Sequence, residues 1–260
     1  MTAIDPQVQA ALAAHEAGRY DETLVLLQQL FVRAQTEHEA AGSPYFMATF
    51  GMQLLLPVYP PAHAVVQALR DEQVRLLLAG DLYFGPPLSD DLPMRKERFS
   101  VIVQLNELLA DPQSTCALYA GFDRSDPAMA RKYAYRALPA VVAVGDWALA
   151  DRYRGDPLQL LAECNALRHS FPLFPPARVA PRLAATMMSL LREVHIGMAV
   201  LRGLGDEAAA LALRAALLEG LEDAPMRQLA EEDLAAPGAI GRALSAHQMT
   251  LDDRAPPTDT

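Results

Sequence analysis

The stretch Gly145-Asp146-Trp147-Ala148-Leu149-Ala150 separates two apolar runs and decides how the chain around it folds. Glycine adopts the left-handed backbone conformation that ends a helix. The small residue Ala150, five positions after the glycine, lets a second helix pack closely against the first. The stretch therefore predicts a turn between two packed helices.

The same turn pattern occurs in Gly18-Arg19-Tyr20-Asp21-Glu22-Thr23 and in Gly205-Asp206-Glu207-Ala208-Ala209-Ala210. In these three places the chain resembles the helix–turn–helix unit of tetratricopeptide-repeat proteins, over about 100 residues in total. The glycines are 127 and 60 residues apart, and neither distance is a multiple of the roughly 34-residue repeat. The aromatic residue and the glycine that are usual in the first helix of the unit are also missing before Gly18. The resemblance therefore implies degenerate hairpins in an irregular superhelix, with a generic helical bundle as the alternative.

Apolar residues recur every three or four positions along nearly the whole chain, as in Leu24, Leu27 and Phe31. This spacing is that of one helix face. Asp or Ser stands directly before Pro five times, which is the preferred order at a helix start; the pairs are Asp5-Pro6, Ser43-Pro44, Asp111-Pro112, Asp126-Pro127 and Asp156-Pro157. We expect an all-α fold of about 11–13 helices in antiparallel pairs.

The predicted helices cover 5–17, 20–40, 44–57, 61–80, 94–110, 127–144, 146–154, 157–170, 177–203, 205–221, 225–235 and 238–247, with 112–122 ambiguous. We expect one domain over 1–249, with a sub-boundary in the Gly- and Pro-containing loop 80–93. Residues 250–260 are polar and proline-bearing, which predicts a disordered tail.

No catalytic, cofactor-binding or metal-binding motif is complete in this sequence. Gly203–Ala208 has the outline of a dinucleotide-binding fingerprint, but it follows a predicted helix rather than the strand that the motif requires. No two of the six histidines are four residues apart, and neither cysteine has a histidine beside it. We therefore expect no catalytic residue, cofactor or metal, and a protein that is not an enzyme.

Charge is the second informative feature, with a net value of −10 that argues against general nucleic-acid binding. Residues 1–90 contain 4 basic and 10 acidic residues, 91–180 contain 11 and 10, and 181–260 contain 7 and 12. Solvated intrahelical ion pairs are one interpretation, and steering of a basic partner is the other. The candidate partner-binding residues are the acidic clusters Asp21, Glu22, Glu231, Glu232 and Asp233.

We expect a cytoplasmic protein, because no secretory signal or membrane-spanning segment is recognisable and the two cysteines suit a reducing compartment. Only two of the 22 basic residues are lysines, and this arginine and alanine bias is compatible with a GC-rich bacterial genome. The leading hypothesis is a non-enzymatic protein that binds and holds a protein partner. A narrower hypothesis is a toxin-neutralising immunity protein with an acidic binding surface. The alternatives are a secretion or folding chaperone, which needs an apolar groove, and an all-α enzyme with a site assembled from distant helices.

Overall fold

A computed structural model describes residues 5–37, 43–86, 95–176 and 179–252 of the 260-residue chain. Within these ranges it has thirteen α-helices and one two-stranded sheet, so the prediction of an all-α fold is confirmed. Neighbouring helices pack in pairs, among them the first with the second, the second with the third, the fourth with the fifth, and the tenth with the eleventh.

The helices, in chain order, are α1 Pro6–Glu16, α2 Tyr20–Thr36, α3 Ser43–Leu55, α4 Ala62–Leu78, α5 Arg98–Leu108, α6 Pro112–Ser125, α7 Pro127–Ala143, α8 Trp147–Tyr153, α9 Leu161–Leu167, α10 Arg182–Gly203, α11 Glu207–Gly220, α12 Ala224–Ala235 and α13 Ala239–Asp252. The ambiguous segment 112–122 is helical and belongs to α6. The helix predicted over 157–170 is shorter, because 157–160 form turns before α9 begins. Residues 250–252 of the predicted tail belong to α13, and 253–260 lie outside the described residues.

Aspartate side chains begin several helices as predicted. Asp5 accepts hydrogen bonds from the backbone N–H groups of Gln7 and Val8, and Asp111 accepts one from Ser114. At the start of α7, the side chain of Asp126 accepts a hydrogen bond from the backbone N–H of Met129. Each bond satisfies an N–H group that has no partner within its helix, which is the reason that aspartate is favoured there.

The predicted glycine turns have the expected backbone geometry. Gly145 and Gly205 have φ values of +80° and +87°, and Ala150 and Ala210 are fully buried. The residue after each glycine donates to a carbonyl five positions back, Asp146 to Val141 and Asp206 to Leu201. This closure satisfies carbonyls at the helix end and turns the chain sharply into the next helix.

A short hairpin in the N-terminal half was not predicted. Strand β1 (Tyr83–Phe84) pairs antiparallel with β2 (Lys96–Glu97), and Phe84 is buried. The buried guanidinium of Arg98 fixes β1, because its Nε donates to the carbonyl of Asp81 at 2.8 Å and its Nη2 donates to the carbonyl of Tyr83. Two-residue strands are too short to leave an alternating pattern in the sequence.

The chain divides into two compact units, an N-terminal unit, Met1–Ala140, and a C-terminal unit, Val141–Thr260. Each unit has its own apolar core. In the N-terminal unit Leu30, Phe31 and Met52 are among the largest fully buried side chains, and in the C-terminal unit α10 supplies Met187. This division lies at 140/141, while the single domain over 1–249 and the sub-boundary in the loop 80–93 stay predictions.

Candidate functional site

The first acidic cluster, Asp21 and Glu22, lies in the exposed first turn of α2. Glu22 forms an ion pair with Arg19 at 2.7 Å, and Asp21 accepts a hydrogen bond from the hydroxyl of Tyr59. That bond raises the pKa of Tyr59, because it stabilises the protonated phenol. Both carboxylates are accessible, but Arg19 compensates the charge of Glu22.

The second cluster, on α12, is less acidic at its surface than the sequence suggests. Glu231 pairs with Arg214 at 3.0 Å, and Glu232 accepts a hydrogen bond from Gln228. Asp233 is only 6% exposed. Its carboxylate accepts a hydrogen bond from the backbone N–H of Ile240, and its Oδ1 lies 3.1 Å from Nε2 of His195. Asp233 therefore holds α12 to its neighbours and is not part of an exposed face, while a role for Asp21, Glu22, Glu231 and Glu232 in partner binding stays a prediction.

A small apolar pocket, partly open to solvent, lies between α1, α2 and α3. Its lining comes from all three helices, with Val8, Ala11, Leu12 and His15 from α1, Thr23, Leu27 and Leu30 from α2, and Met47, Gly51 and Leu54 from α3. The α2 residues are the most deeply buried of these, so α2 forms the floor between α1 and α3. We call this feature the α1–α3 groove.

Gly51 determines how closely α3 approaches this floor. An ideal Cβ at Gly51 would lie 2.4 Å from Cδ2 of Leu27, well inside van der Waals contact. Only a residue without a side chain leaves Leu27 in its present position. The close packing of α2 against α3 therefore depends on this glycine.

An apolar stripe on α3 continues the groove to the surface. Phe46, Phe50 and Leu54 are four residues apart, which places them on one side of the helix, and they are 61%, 40% and 42% exposed. The rings of Phe46 and Phe50 stack with centroids 5.9 Å apart. On α1, Leu12 is also exposed beside the pocket. Contiguous exposed apolar side chains of this kind mark interaction surfaces.

A polar group and an aromatic row lie at one end of the groove. Nε2 of His15 is buried and has no hydrogen-bond partner among the described residues. The ring of His15 contacts Tyr20, whose ring contacts Tyr59. Since Tyr59 donates to Asp21, this row connects the apolar pocket to the first acidic cluster.

The groove was missed by the sequence analysis, although a signal for it exists. Residues 40–69 contain no Asp, Glu, Lys or Arg. A helix on the surface of a water-soluble protein usually has a charged outer face, and α3 has none. The charge-free run therefore indicates a helix whose outer face is available for another apolar surface.

The remaining candidate groups in the described ranges are the metal-binding side chain types, the buried Cys164 and Trp147. No three His, Cys, Asp or Glu side chains lie together there in a way that would hold a metal ion. Cys164 is fully buried, and burial raises the pKa of its thiol to about 11. The thiol of Cys164 is therefore protonated at neutral pH, and a thiol is a much weaker nucleophile than a thiolate. Trp147 packs its indole against Gly203, so its described contacts are structural.

Among the described helices, α10 alone is long and apolar enough to cross a membrane, which the sequence analysis did not recognise. Its mean hydropathy over the most apolar window is 1.2, and 56% of that window is buried inside the structure. It packs against α8, α9, α11, α12 and α13. A buried core helix passes the same length and composition test, and α10 is the central core helix of the C-terminal unit.

No family model, curated protein or solved structure matches this chain. The resemblance to tetratricopeptide units therefore depends on the three turns and the helix pairs described above.

Proposed function

We propose that this protein binds a helical segment of a partner protein in the α1–α3 groove and has no catalytic activity of its own. The observation that supports this most is the exposed, stacked pair Phe46 and Phe50, which continues into the apolar pocket. An amphipathic helix binds such a groove through apolar residues spaced three and four positions apart. The ridge formed by Phe46, Phe50 and Leu54 has the complementary spacing.

The arrangement of the helices suits a tetratricopeptide-like role for the N-terminal unit. In this proposal α1–α2 is one helical hairpin and α3, which packs against α2, begins the next unit, so that α1 and α3 line the binding surface. The α1–α2 turn supports it, because Gly18 has a φ of +71° and Arg19 donates to the carbonyl of Ala14. Stacked hairpins of this kind form concave surfaces that hold peptides and helices.

The charge at the end of the groove indicates which helix would bind. Asp21 has no cation paired with it among the described residues, and it lies two positions before Thr23, which lines the pocket. Residues 1–90 contain 10 acidic and only 4 basic residues. A partner helix with one apolar face and a basic residue at the α1–α2 end is therefore favoured. An exposed client helix of this type fits a chaperone better than it fits toxin neutralisation by acidic residues alone.

The test uses a fluorescein-labelled 18-residue peptide of Leu and Lys, designed as an amphipathic helix, and fluorescence anisotropy. Phe50→Ser should weaken binding at least about tenfold, because a central aromatic anchor contributes roughly 1.4 kcal/mol or more. Leu78→Ser is the matched control, since Leu78 is an exposed apolar residue on α4, outside the groove. It should leave the affinity unchanged.

Asp21→Asn tests the charged end of the groove separately. It should weaken binding of the Leu/Lys peptide at low salt and have a smaller effect at high salt, because exposed charges are screened. A Leu/Glu peptide that binds as tightly as the Leu/Lys peptide would contradict the preference for a basic partner helix. If Phe50→Ser and Leu78→Ser weaken binding of the Leu/Lys peptide equally, the groove is not the binding site.

A further inference from the structure

A second surface of the N-terminal unit has the opposite charge to the rest of the chain. It is formed by Arg95 and Lys96, at and just before β2, and by Lys132 and Arg136, one turn apart on α7. We call these four residues the basic face. Arg98, from the same basic part of the sequence, does not belong to it, because its guanidinium is buried in the hydrogen bonds that fix β1.

Each cation of the basic face lies over a tyrosine ring. The ammonium of Lys96 is 4.0 Å from the ring centroid of Tyr45, and the guanidinium of Arg136 is 5.7 Å from that of Tyr135. The ring of Tyr83 has both Arg95 and Lys132 over it, at 5.0 and 5.4 Å. Cation–π contacts of this kind fix the position of the charges and leave their hydrogen-bond donors available.

Carboxylates compensate only part of this charge. Glu97 pairs with Lys132 at 2.9 Å, and Glu107 lies near Tyr45. No carboxylate among the described residues forms an ion pair with Arg95, Lys96 or Arg136. Burial lowers the pKa of Lys96, and the nearby positive charge of Arg136 lowers it further.

Within the described ranges, Arg95 has one guanidinium donor that is hydrogen-bonded and one that is not. Its Nη2 donates to the carbonyl of Gly85 at 3.0 Å, but its Nε is buried and has no hydrogen-bond partner among the described residues. A buried donor of a charged group without an acceptor is costly, and a charged acceptor close to it would recover that cost.

We propose that the basic face binds an acidic polypeptide segment, rich in Asp and Glu, on a partner protein. Carboxylates match the exposed donors of Lys96 and Arg136, and arginine binds a carboxylate through two parallel hydrogen bonds. The net charge of −10 disfavours a long nucleic acid, whose phosphates the rest of the protein repels. This surface is separate from the α1–α3 groove, so it adds a second binding site to the proposed function.

The experiment measures binding of a fluorescein-labelled peptide of alternating Glu and Ala residues to the full chain at low salt. The double variant Lys96→Gln/Arg136→Gln should weaken binding at least about fivefold, as expected for the loss of two exposed charge pairs. The matched control is Arg19→Gln/Arg75→Gln, which removes two exposed arginines of the same unit that already pair with Glu22 and Glu72. Lys96→Arg/Arg136→Lys keeps both charges and should restore most of the affinity.

Three outcomes would overturn the proposal. The first is a loss of peptide affinity in Arg19→Gln/Arg75→Gln as large as that in Lys96→Gln/Arg136→Gln, which would show a general charge effect. The second is wild-type affinity in Lys96→Gln/Arg136→Gln with an unchanged circular dichroism spectrum. The third is a single-stranded oligonucleotide that binds the basic face more tightly than the peptide does. Phe50→Ser should not alter binding of the acidic peptide, so this proposal and the groove proposal fail independently.

Discussion

Replacing Ala110 with glycine should stabilise the protein. Ala110 is the only described non-glycine residue with a positive φ, +52°. Its N–H donates to the carbonyl of Glu107, and the N–H of Asp111 donates to that of Asn106. The turn at Gly18 has the same two bonds, from Gly18 to His15 and from Arg19 to Ala14. An alanine therefore occupies a position where the backbone favours glycine.

The size of the effect follows from two opposing contributions. An L-residue in the left-handed conformation costs about 1–2 kcal/mol. Glycine has more freedom in the unfolded chain, which costs about 0.4–1 kcal/mol on folding. We expect Ala110→Gly to raise the free energy of unfolding by about 0.5–1 kcal/mol, which corresponds to an increase in Tm of about 1–3 °C.

Urea unfolding followed by far-ultraviolet circular dichroism measures this change, with two matched variants in the same unit. Ala17→Gly has the same chemistry at a φ of −80° and should lose about 0.5–1 kcal/mol. Gly18→Ala introduces a side chain at a φ of +71° into open space and should lose about 1 kcal/mol from backbone strain alone. If Ala110→Gly lowers the free energy of unfolding by as much as Ala17→Gly does, this reasoning is refuted.

Two further predictions concern packing and pH. Gly203→Ala should lower the free energy of unfolding by about 1–3 kcal/mol and shift the fluorescence emission of Trp147, because the added Cβ would lie 2.1 Å from the indole Cδ2. Unchanged stability and emission would show that the indole does not pack against Gly203. The hydrogen bond from the Ser114 hydroxyl, with help from the Ser114 N–H and Arg70, holds the pKa of Asp111 below its ordinary value of 3.8. The lowered pKa stabilises the fold above pH 3.8 and this contribution is lost as the pH falls further. The free energy of unfolding of Asp111→Asn should therefore be lower than that of the wild type at pH 6, and the gap between the two should be smaller at pH 3. A gap of equal size at both pH values would contradict this prediction.

Local signals with one physical cause were predictable from the sequence. Asp5, Asp111 and Asp126 cap their helices, and Gly145 and Gly205 end theirs, because these effects depend on a few consecutive residues. Asp156, by contrast, precedes turns rather than a helix. The break between α5 and α6 was predicted from the helix end at 110 and the Asp111-Pro112 start, but the positive φ of Ala110 was missed because no glycine marks it. Strands β1 and β2 were missed because their pairing joins residues more than ten positions apart and depends on the buried Arg98.

The candidate site was less predictable, because exposure depends on tertiary packing. Asp233 belongs to an acidic run like its neighbours Glu231 and Glu232, yet only the structure shows that it is buried beside His195. Phe46 and Phe50 have the spacing of an ordinary core-facing stripe. Their exposure follows from the packing of the other face of α3 against α2, which no local pattern predicts.

The central claim, that the α1–α3 groove binds an amphipathic helix, is tested most directly by photo-crosslinking. The Leu/Lys peptide with photo-leucine at the centre of its apolar face is irradiated with the full chain, and the adducts are mapped by mass spectrometry. We predict adducts on Leu12, Phe46, Phe50 or Leu54, and their loss when unlabelled peptide competes. Adducts that fall mainly on Leu78 or in the C-terminal unit would contradict the claim.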